Sequence, residues 1–301
     1  MLDISVIIVN YNVKEYIIKC IHSIQKFTSK KINYEIIIVD NASIDGSYQY
    51  IESHFPEINL IKNSDNIGFS KAINQGTNVA NGKYLFFLNP DTELIEDSIN
   101  VLYHFIKERS QVAAIGPKLI NEIGATQKSF WRKPTLINTL LSIYHLEIFN
   151  KNKNYSNQNK MKALAVDTIS GGAFFVRGEL FNSLDGFNEN LFWMEDIDCC
   201  NRIKQQGLDI IYLPKTKIIH FSGKSAAKNW TVTISNQLIS KIKYFRLYHR
   251  PLDLFILKIS IYILVILKCI YFFILSPLNQ VYQKKLKAYF MTLKMMIIHQ
   301  Y

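Results

Sequence analysis

The N-terminal part of the chain alternates short apolar runs with segments in which apolar residues recur at helical spacing. Such continuous runs are typical of strands buried on both faces. The predicted strands cover residues 4–9, 36–39, 60–61 and 84–88. Helical spacing predicts helices over residues 14–27 and 70–80. Because short connections between alternating strands and helices imply right-handed crossovers, we expect an α/β domain with a mostly parallel sheet covered on both faces.

Polar side chains follow three of these predicted strands directly. They are Asn10, Tyr11 and Asn12 after the first strand, Asp40 and Asn41 after the second, and Asn89 and Asp91 after the fourth. The carboxyl ends of parallel strands share one sheet edge, where ligands bind in folds of this kind. Asn and Asp are also common turn residues, so a turn explains any single cluster. Three clusters at one edge favour a ligand site.

The first predicted strand lacks a glycine-rich phosphate-binding loop, since neither G-x-G-x-x-G nor G-x-x-x-x-G-K-[ST] is present there. A bound phosphate therefore needs another neutralising group, and a divalent cation is the natural candidate. Asp91 provides a hard oxygen ligand suited to Mg²⁺ or Mn²⁺.

Further candidate residues occur beyond residue 160. Gly171 and Gly172 precede an apolar run, where glycines let the main chain approach a ligand or tighten a turn. Residues 210–213 and 217–220 predict two short strands, the second ending at His220. A lone histidine is more often structural than a ligand, but a strand end leaves a metal role open.

Three carboxylates, at Glu195, Asp196 and Asp198, stand close to Trp193. Like charges this close tend to raise one carboxyl pKa, and a carboxylate beside an aromatic wall can act as a general base on a sugar hydroxyl. The alternative is a solvated helix N-terminus, where the helix dipole favours acids. Arg202, four residues after Asp198, is placed to pair with it.

Positive charge is concentrated at the C-terminal end. The formal net charge is +11, and residues 240–301 contain ten Lys or Arg against one Asp, so +9 belongs to this segment. Residues 1–239 carry 25 basic and 23 acidic groups. Because the positive charge lies beside an apolar segment, we expect this segment to bind anionic lipid, and we do not expect a nucleic-acid partner.

Residues 254–275 are an apolar run long enough to span a bilayer, which requires roughly 20 residues. Lys258 and Lys268 lie inside it, and each would cost about 2.5–3.5 kcal/mol near the bilayer centre. On a helix, Lys268 lies on the same side as Arg250, and Lys258 lies about 80° away from them. These three residues form a narrow polar stripe. We therefore expect a helix in the membrane interface, ended by Pro277, with a single transmembrane helix as the alternative.

The compartment is expected to be reducing. Four cysteines show no metal-type spacing, and two of them are direct neighbours, so a disulfide framework is not expected. The first residues, MLDISVII, include no basic leader, and their apolar run is too short for a signal peptide. We expect the protein on the cytoplasmic face of the cell membrane.

Seven stretches together resemble the family 2 glycosyltransferases, particularly the bacterial rhamnosyltransferase-like members that build surface polysaccharides. They are VIIVNYN (6–12), VDNASIDGS (39–47), NIGFSKAINQG (66–76), FFLNPDT (86–92), SGGAFFVRG (170–178), GFNENLFWMEDIDCCNRIKQQG (186–207) and IIHFSGKS (218–225). They occur in the family's order over about three quarters of the chain.

The resemblance implies a GT-A fold, which we expect over residues 1–235, with residues 236–301 as a membrane-associated helical segment. It also implies inverting transfer of a sugar from a nucleoside-diphosphate donor to a lipid-linked or growing surface glycan. Rhamnose from a dTDP donor is the first expectation, with UDP- and GDP-sugars open. The rival interpretation is a non-catalytic membrane scaffold that retains the fold.

The resemblance further implies roles for individual residues. The donor side would comprise Asn10, Tyr11, Asn12, Asp40, Asn41, Gly68, Phe69, Asn89 and Asp91. Asn89-Pro90-Asp91 stands where the family has D-x-D, which leaves Asp91 as the main carboxylate ligand of Mg²⁺ or Mn²⁺, and His220 matches a metal-binding histidine. Asp196 matches the catalytic base. The acceptor side would comprise Gly171, Gly172, Trp193 and Glu195, with Glu195 orienting the acceptor.

Overall fold

A computed structural model describes residues 2–146, 162–221 and 230–298 of the chain. The chain divides into two compact units. The first, here called the sheet unit, comprises Met1–Lys133, Asn154–Glu189 and Glu195–Ser225. The second, the helical unit, comprises Pro134–Lys153, Asn190–Met194 and Ala226–Tyr301. Two internal segments therefore group with the C-terminal helices, and the expected boundary after residue 235 stays a prediction.

The sheet unit is built around one mixed sheet. Its strands are β1 (Leu2–Asn10), β2 (Tyr34–Asp40), β3 (Asn59–Lys62), β4 (Gly82–Leu88), β5 (Thr92–Leu94), β6 (Val112–Ile120), β7 (Phe130–Trp131), β8 (Leu164–Ala165), β9 (Thr168–Ile169), β10 (Ala173–Arg177) and β11 (Asp209–His220). The main sheet has the order β3-β2-β1-β4-β10-β6-β11-β5, with β8 beside β11, and β7 pairs with β9 separately. In the described part of the chain, only β10 and β5 run against the other strands along this order, so the sheet is mostly parallel as expected.

Helices cover both faces of this sheet. They are α1 (Lys14–Phe27), α2 (Ser47–His54), α3 (Phe69–Thr77), α4 (Ser98–Lys107), α6 (Gly178–Ser183) and α7 (Glu195–Gln205). The alternation of side chains along β1 supplies both cores, since Ile8 belongs to the apolar cluster that includes α1, and Ile7 belongs to the cluster that includes α3. Each fully buried isoleucine contributes about 1.5–3 kcal/mol. The continuous apolar runs are therefore explained by burial on two faces.

One expected pair of strands is a single strand. Residues 210–213 and 217–220 both belong to β11, whose pairing with β6 shifts register between Leu213 and Lys217. Pro214 lies in this interval and has no N–H to donate to the ladder. The interruption of the apolar pattern therefore marks an irregularity within one strand.

The helical unit contains α5 (Leu136–Ile143), α8 (Trp230–Tyr248), α9 (Pro251–Leu275) and α10 (Gln280–Ile298). Helix α10 packs against both α8 and α9. The hydroxyl of Ser235 in α8 donates to Ala288 O over 3.1 Å, and Phe272 of α9 stacks on Tyr289 at 5.7 Å between ring centroids. Tyr144, directly after α5, donates to Ser260 O of α9 over 2.9 Å. This contact explains why residues near 140 group with the C-terminal helices.

Candidate active site

Four strand ends of the sheet unit bring together residues that are far apart in the chain. Thr92 of β5 pairs with His220 of β11, and the N–H of Phe221 donates to Asp91 O over 2.9 Å. On the next strands β10 runs antiparallel to β4, and the N–H of Asn89 donates to Gly172 O over 3.0 Å. Sheet register therefore places the Asn89–Asp91 turn beside both the glycine pair and His220.

The side chains of Asp91 and His220 face one another. Their Oδ1 and Nε2 atoms are 3.5 Å apart, and the side chains are 5% and 15% exposed. The amide nitrogen of Asn89 lies 3.3 Å from the same Nε2. A carboxylate oxygen and an imidazole nitrogen at this separation are close enough to bind one cation together.

This donor set fits a divalent cation of the Mg²⁺ or Mn²⁺ class. One carboxylate and one imidazole are acceptable ligands for Mn²⁺, and cations of this class usually keep waters and bind substrate phosphates beside one or two protein groups. Within the described residues, no cluster of three or more His, Cys, Asp or Glu forms a closed protein cage. Asp91 and His220 thus suit a site that shares its metal with a phosphate-containing substrate.

Asp196 lies in the first turn of α7 and is fixed by two main-chain hydrogen bonds. Gly171 N–H donates to Oδ2 over 2.9 Å, and Ile197 N–H donates to Oδ1 over 2.8 Å. Removal from water raises the pKa of the Asp196 carboxyl above the ordinary value of 3.8, while these two bonds oppose the rise. A raised pKa makes a carboxylate a stronger proton acceptor, as a general base requires.

The glycine pair connects Asp196 with the Asp91–His220 pair. A Cβ atom on Gly171 would lie 3.4 Å from Asp196 Oδ2. On Gly172, it would lie 3.4 Å from Asn89 Nδ2 and 3.5 Å from His220 Cε1. Asp196 therefore packs against the main chain of Gly171, and Asn89 and His220 pack against that of Gly172. The candidate base and the candidate metal ligands thus lie beside two consecutive residues.

The predicted donor-side residues form a hydrogen-bonded network where β1 and β2 end. The amide of Asn10 donates to Asp40 Oδ1 over 2.7 Å, and Asp40 Oδ2 accepts from Ser43 N–H over 2.9 Å. Asn41 donates to Gly68 O over 3.2 Å, which connects this network to the start of α3. Because Asn10 and Asp40 are fully buried, these contacts hold the loops in shape.

The network continues at the surface through Asn12. This residue has a left-handed backbone with φ of 55°, and its side-chain oxygen accepts from Ile44 N–H over 2.8 Å. Tyr11, which follows Asn10, and Phe69, which follows Gly68, are both half-buried. Since Ile8 of β1 pairs with Leu88 of β4, this network and the Asn89–Asp91 turn follow neighbouring parallel strands at the same sheet edge.

The family model described as glycosyl transferase family 2 matches residues 5–184, more than half of the chain. The chain belongs to this family. A second family model, described as the N-terminal domain of galactosyltransferase, matches residues 154–224 and so includes the glycine pair, Asp196 and His220.

Two curated relatives of this chain are themselves glycosyltransferases by name. The N-acetylglucosaminyl-diphospho-decaprenol L-rhamnosyltransferase of Mycobacterium tuberculosis is 22% identical over 244 residues, covering 75% of this chain and 78% of that protein. The poly(ribitol-phosphate) beta-N-acetylglucosaminyltransferase TarS of Staphylococcus aureus is 29% identical over 134 residues, covering 43% of this chain and 23% of TarS. The protein is therefore an enzyme of the glycosyltransferase class, which disfavours the non-catalytic scaffold.

Solved structures agree on the fold. The mannosyltransferase PcManGT from Pyrobaculum calidifontis, in complex with GDP-Man and Mn²⁺, matches with a TM-score of 0.60 at 15% identity, over 99% of this chain and 88% of that chain. GalNAc-T7 with UDP, GalNAc and Mn²⁺ matches with a TM-score of 0.56 at 20% identity, over 73% of this chain and 44% of that chain. The present glycosyltransferase has the GT-A fold. It spans less than half the length of the GalNAc-T7 chain.

Asp198 and Glu195, the two other carboxylates near Asp196, differ in their surroundings. Asp198 is fully buried and pairs with Arg202 at 2.7 Å, as the spacing predicted. Arg202 also donates to Gly186 O over 2.8 Å and to Leu184 O, so this pair braces the start of α7. Glu195 is the half-buried first residue of α7.

Trp193 belongs to the helical unit, whereas Asp196 belongs to the sheet unit. Its backbone has a φ of 86°, and its side chain is 42% exposed. An exposed aromatic side chain in a strained backbone conformation is compatible with the predicted contact to an acceptor, which stays a prediction.

Sequence reasoning missed Gln127, whose side chain contacts His220 through both amide atoms. It lies in the segment between β6 and β7, outside each of the seven matching stretches. No local motif marks it, and only the pairing of strands around His220 could have found it.

Proposed function

We propose that this glycosyltransferase transfers a sugar from a nucleoside diphosphate to a lipid-linked or growing surface glycan, with inversion at the anomeric carbon and with a divalent cation. The observation that carries this proposal is the placement of Asp196 and the Asp91–His220 pair on the two sides of adjacent glycines. One side provides a proton acceptor, and the other provides metal ligands. Inverting transfer needs a proton acceptor on one face of the sugar and positive charge at the leaving diphosphate on the other.

In this reaction the acceptor hydroxyl attacks the anomeric carbon while the bond to the diphosphate breaks on the opposite face of the sugar. Asp196 takes the hydroxyl proton, and its oxygens are held for this by the N–H groups of Gly171 and Ile197. Asp91 and His220 would hold a divalent cation, which would supply positive charge to neutralise the leaving diphosphate. The loops with Asn10, Asp40 and Asn41 would shape the nucleoside subsite.

The donor sugar that we propose first is rhamnose carried by dTDP, because the mycobacterial relative is an L-rhamnosyltransferase. The solved relatives carry UDP with GalNAc and GDP-Man, which makes UDP- and GDP-sugars the alternatives. The acceptor named for the mycobacterial relative is a diphospho-decaprenol, and that of TarS is a ribitol-phosphate polymer. A lipid-linked acceptor is the chemistry that best fits the C-terminal helices of this protein.

We further propose that the helical unit attaches the enzyme to the cytoplasmic face of a membrane. Helix α9 has 25 residues and is long and apolar enough to cross a bilayer. Ten of its Leu, Ile and Phe side chains are 37–70% exposed; they are Leu252, Phe255, Ile256, Ile259, Ile263, Ile266, Leu267, Ile270, Phe273 and Ile274. At about 100° per residue they lie within about 120° of one another, a continuous surface here called the α9 apolar face.

The opposite side of α9 packs inside the helical unit through Leu257, Ile261 and Phe272. Because α10 packs against α9 and exposes Lys284, Lys287 and Lys294, a spanning α9 would either leave α10 or draw its lysines into the bilayer. These contacts favour a helix that lies in the interface with the α9 apolar face toward the acyl chains and the lysines near anionic headgroups.

Calorimetric titration of the detergent-purified full chain with UDP, dTDP and GDP tests the proposed donor and metal. Each nucleotide is measured with Mn²⁺, with Mg²⁺ and with EDTA. We expect one nucleotide to bind preferentially, and only with metal. Asp91→Asn should lose the metal-dependent nucleotide binding. Asp209→Asn changes an aspartate of β11 whose side chain is 45% exposed, and it should bind like the wild type. Absence of binding by all three nucleotides would overturn the proposed function.

A further inference from the structure

The main chain around Gln127 is held by a tight turn next to the site. Residues Asn121 to Ala125 form this turn, in which Asn121 Oδ1 accepts from Ala125 N–H over 2.8 Å. The N–H of Gln127 then donates to Leu119 O of β6 over 2.9 Å. Because β6 pairs with β11, the Gln127 side chain has a fixed origin from which it reaches the end of β11.

The Gln127 amide binds His220 through both of its polar atoms. Nε2 donates to the main-chain oxygen of His220 over 2.7 Å, and Oε1 lies 3.1 Å from Nδ1 of the imidazole. A main-chain oxygen only accepts hydrogen bonds, so the amide nitrogen must face it. Oε1 therefore faces Nδ1, and because this oxygen also only accepts, Nδ1 must carry the proton.

This arrangement determines what the other ring nitrogen can do. In a neutral imidazole with a proton on Nδ1, Nε2 has a lone pair. That lone pair is directed toward Asn89 Nδ2 at 3.3 Å and Asp91 Oδ1 at 3.5 Å. Nε2 is thus ready to act as a metal ligand, in the tautomer that imidazole favours less in water.

We propose that Gln127 is a positioning residue that holds His220 in its Nδ1–H tautomer, so that Nε2 serves as a ligand for the divalent cation shared with Asp91. The proposal rests on the metal dependence in the proposed function. It adds a residue that acts on the metal only through His220. Partners of this kind typically change metal affinity by about 10–100-fold when they are removed.

The first test measures Mn²⁺ affinity by calorimetry in the presence of the nucleotide that the wild type binds. Gln127→Met removes both hydrogen bonds with little change in size, and we expect about 10–100-fold weaker Mn²⁺ binding. Gln127→Glu keeps an oxygen for Nδ1–H and should bind Mn²⁺ more tightly than Gln127→Met. The control is Ile123→Ser in the same turn, at a side chain that is 87% exposed. All variants should retain cooperative thermal melting.

The second test reads the tautomer without metal or nucleotide. Long-range ¹H–¹⁵N correlation of ¹⁵N-histidine-labelled protein should show the Nδ1–H form for the His220 ring, identified by its loss in His220→Gln. Gln127→Met should shift that ring toward the Nε2–H form. A wild-type ring with its proton on Nε2, or a tautomer unchanged in Gln127→Met, would overturn the proposal.

The two tests also separate this inference from the proposed function. If the wild type binds Mn²⁺ and Gln127→Met binds it equally well, only the role of Gln127 is wrong. If the wild type binds no Mn²⁺ with any nucleotide, the metal-dependent function is wrong, and the role of Gln127 toward a cation falls with it.

Discussion

The N–H of Gly171 donates a hydrogen bond of 2.9 Å to Oδ2 of Asp196. The next residue, Gly172, accepts a main-chain hydrogen bond from Asn89 at 3.0 Å. The proposed base and the turn that contains Asp91 are therefore attached to adjacent peptide units. A displacement of this short segment would move both halves of the site together, which makes the glycine pair a sensitive point for mutation.

Asp196→Asn should lower the turnover number by about 10²–10⁴-fold, since a general base commonly contributes this much. Asparagine keeps the size of the side chain and an oxygen that accepts from Ile197, so the fold and nucleotide binding should survive. Steady-state transfer assays and nucleotide calorimetry on the same protein measure the two effects. Near-normal turnover would remove Asp196 as the base.

The two glycines should respond differently to alanine. Gly171→Ala places a methyl group 3.4 Å from Asp196 Oδ2, at the near limit of ordinary van der Waals contact, and any shift of this carboxylate should lower turnover with nucleotide affinity retained. Gly172→Ala brings the methyl group against Asn89 and His220, and we expect weaker metal-dependent nucleotide binding instead. Each variant is the matched control for the other. Identical losses of both properties would mean that the segment acts only by folding correctly.

The pH dependence should follow the raised pKa of Asp196. The base is competent only when ionised, so kcat/KM should rise with pH through the Asp196 pKa, which lies above 3.8, and then level off. For stability the sign is opposite. A raised pKa in the folded state means that ionisation costs folding free energy, so stability present below the unfolded pKa is lost as pH rises through the folded pKa.

Asp196→Asn is therefore expected to melt at a higher temperature than the wild type at pH 8, with the difference shrinking as the pH falls toward 3.8. Differential scanning calorimetry across this range measures the effect. A difference that does not vary with pH would mean that Asp196 is not the group responsible.

Much of the sheet unit could be predicted because its signals are local. The continuous run at 4–9 became β1, and the spacing at 14–27 became α1 with the same bounds, since burial of one side of a helix leaves its period in the sequence. The contact of Asp91 with His220 is not local. It depends on the antiparallel pairing of β5 with β11, and spacing gives no information about that pairing.

The buried pair of Asp198 with Arg202 should stabilise the sheet unit and should not act in catalysis. Asp198 is 1% exposed at its side chain, so Arg202→Met leaves a buried charge without its main partner, and we expect a loss of about 3–5 kcal/mol in unfolding free energy. Lys204→Met on the same helix is the control, because its contact with Asp209 is exposed and should be worth less than about 1 kcal/mol. Urea unfolding measures both. Equal stability of the two variants would contradict the structural role of Asp198.

Charges on the α9 apolar face should release the enzyme from lipid. Ile263→Glu and Ile270→Glu place carboxylates where we propose that acyl chains lie, and we expect each to weaken binding to phosphatidylglycerol-containing vesicles by about 10-fold or more. Sedimentation with vesicles measures this binding. Ile123→Glu adds the same charge at an exposed isoleucine of the sheet unit and should bind like the wild type.

The exposed lysines of α10 can be tested by the same vesicle sedimentation with anionic and with neutral lipids. Lys284→Gln, Lys287→Gln and Lys294→Gln together should reduce binding to anionic vesicles, with little change on neutral ones, because each lysine near an anionic surface contributes about 1 kcal/mol. Rising salt should likewise weaken the binding of the wild type to anionic vesicles, because salt screens the attraction between lysines and headgroups. If the glutamate variants of α9 stay bound to anionic vesicles at high salt, neither the apolar face nor the lysines hold the protein, and the interfacial assignment of α9 is wrong.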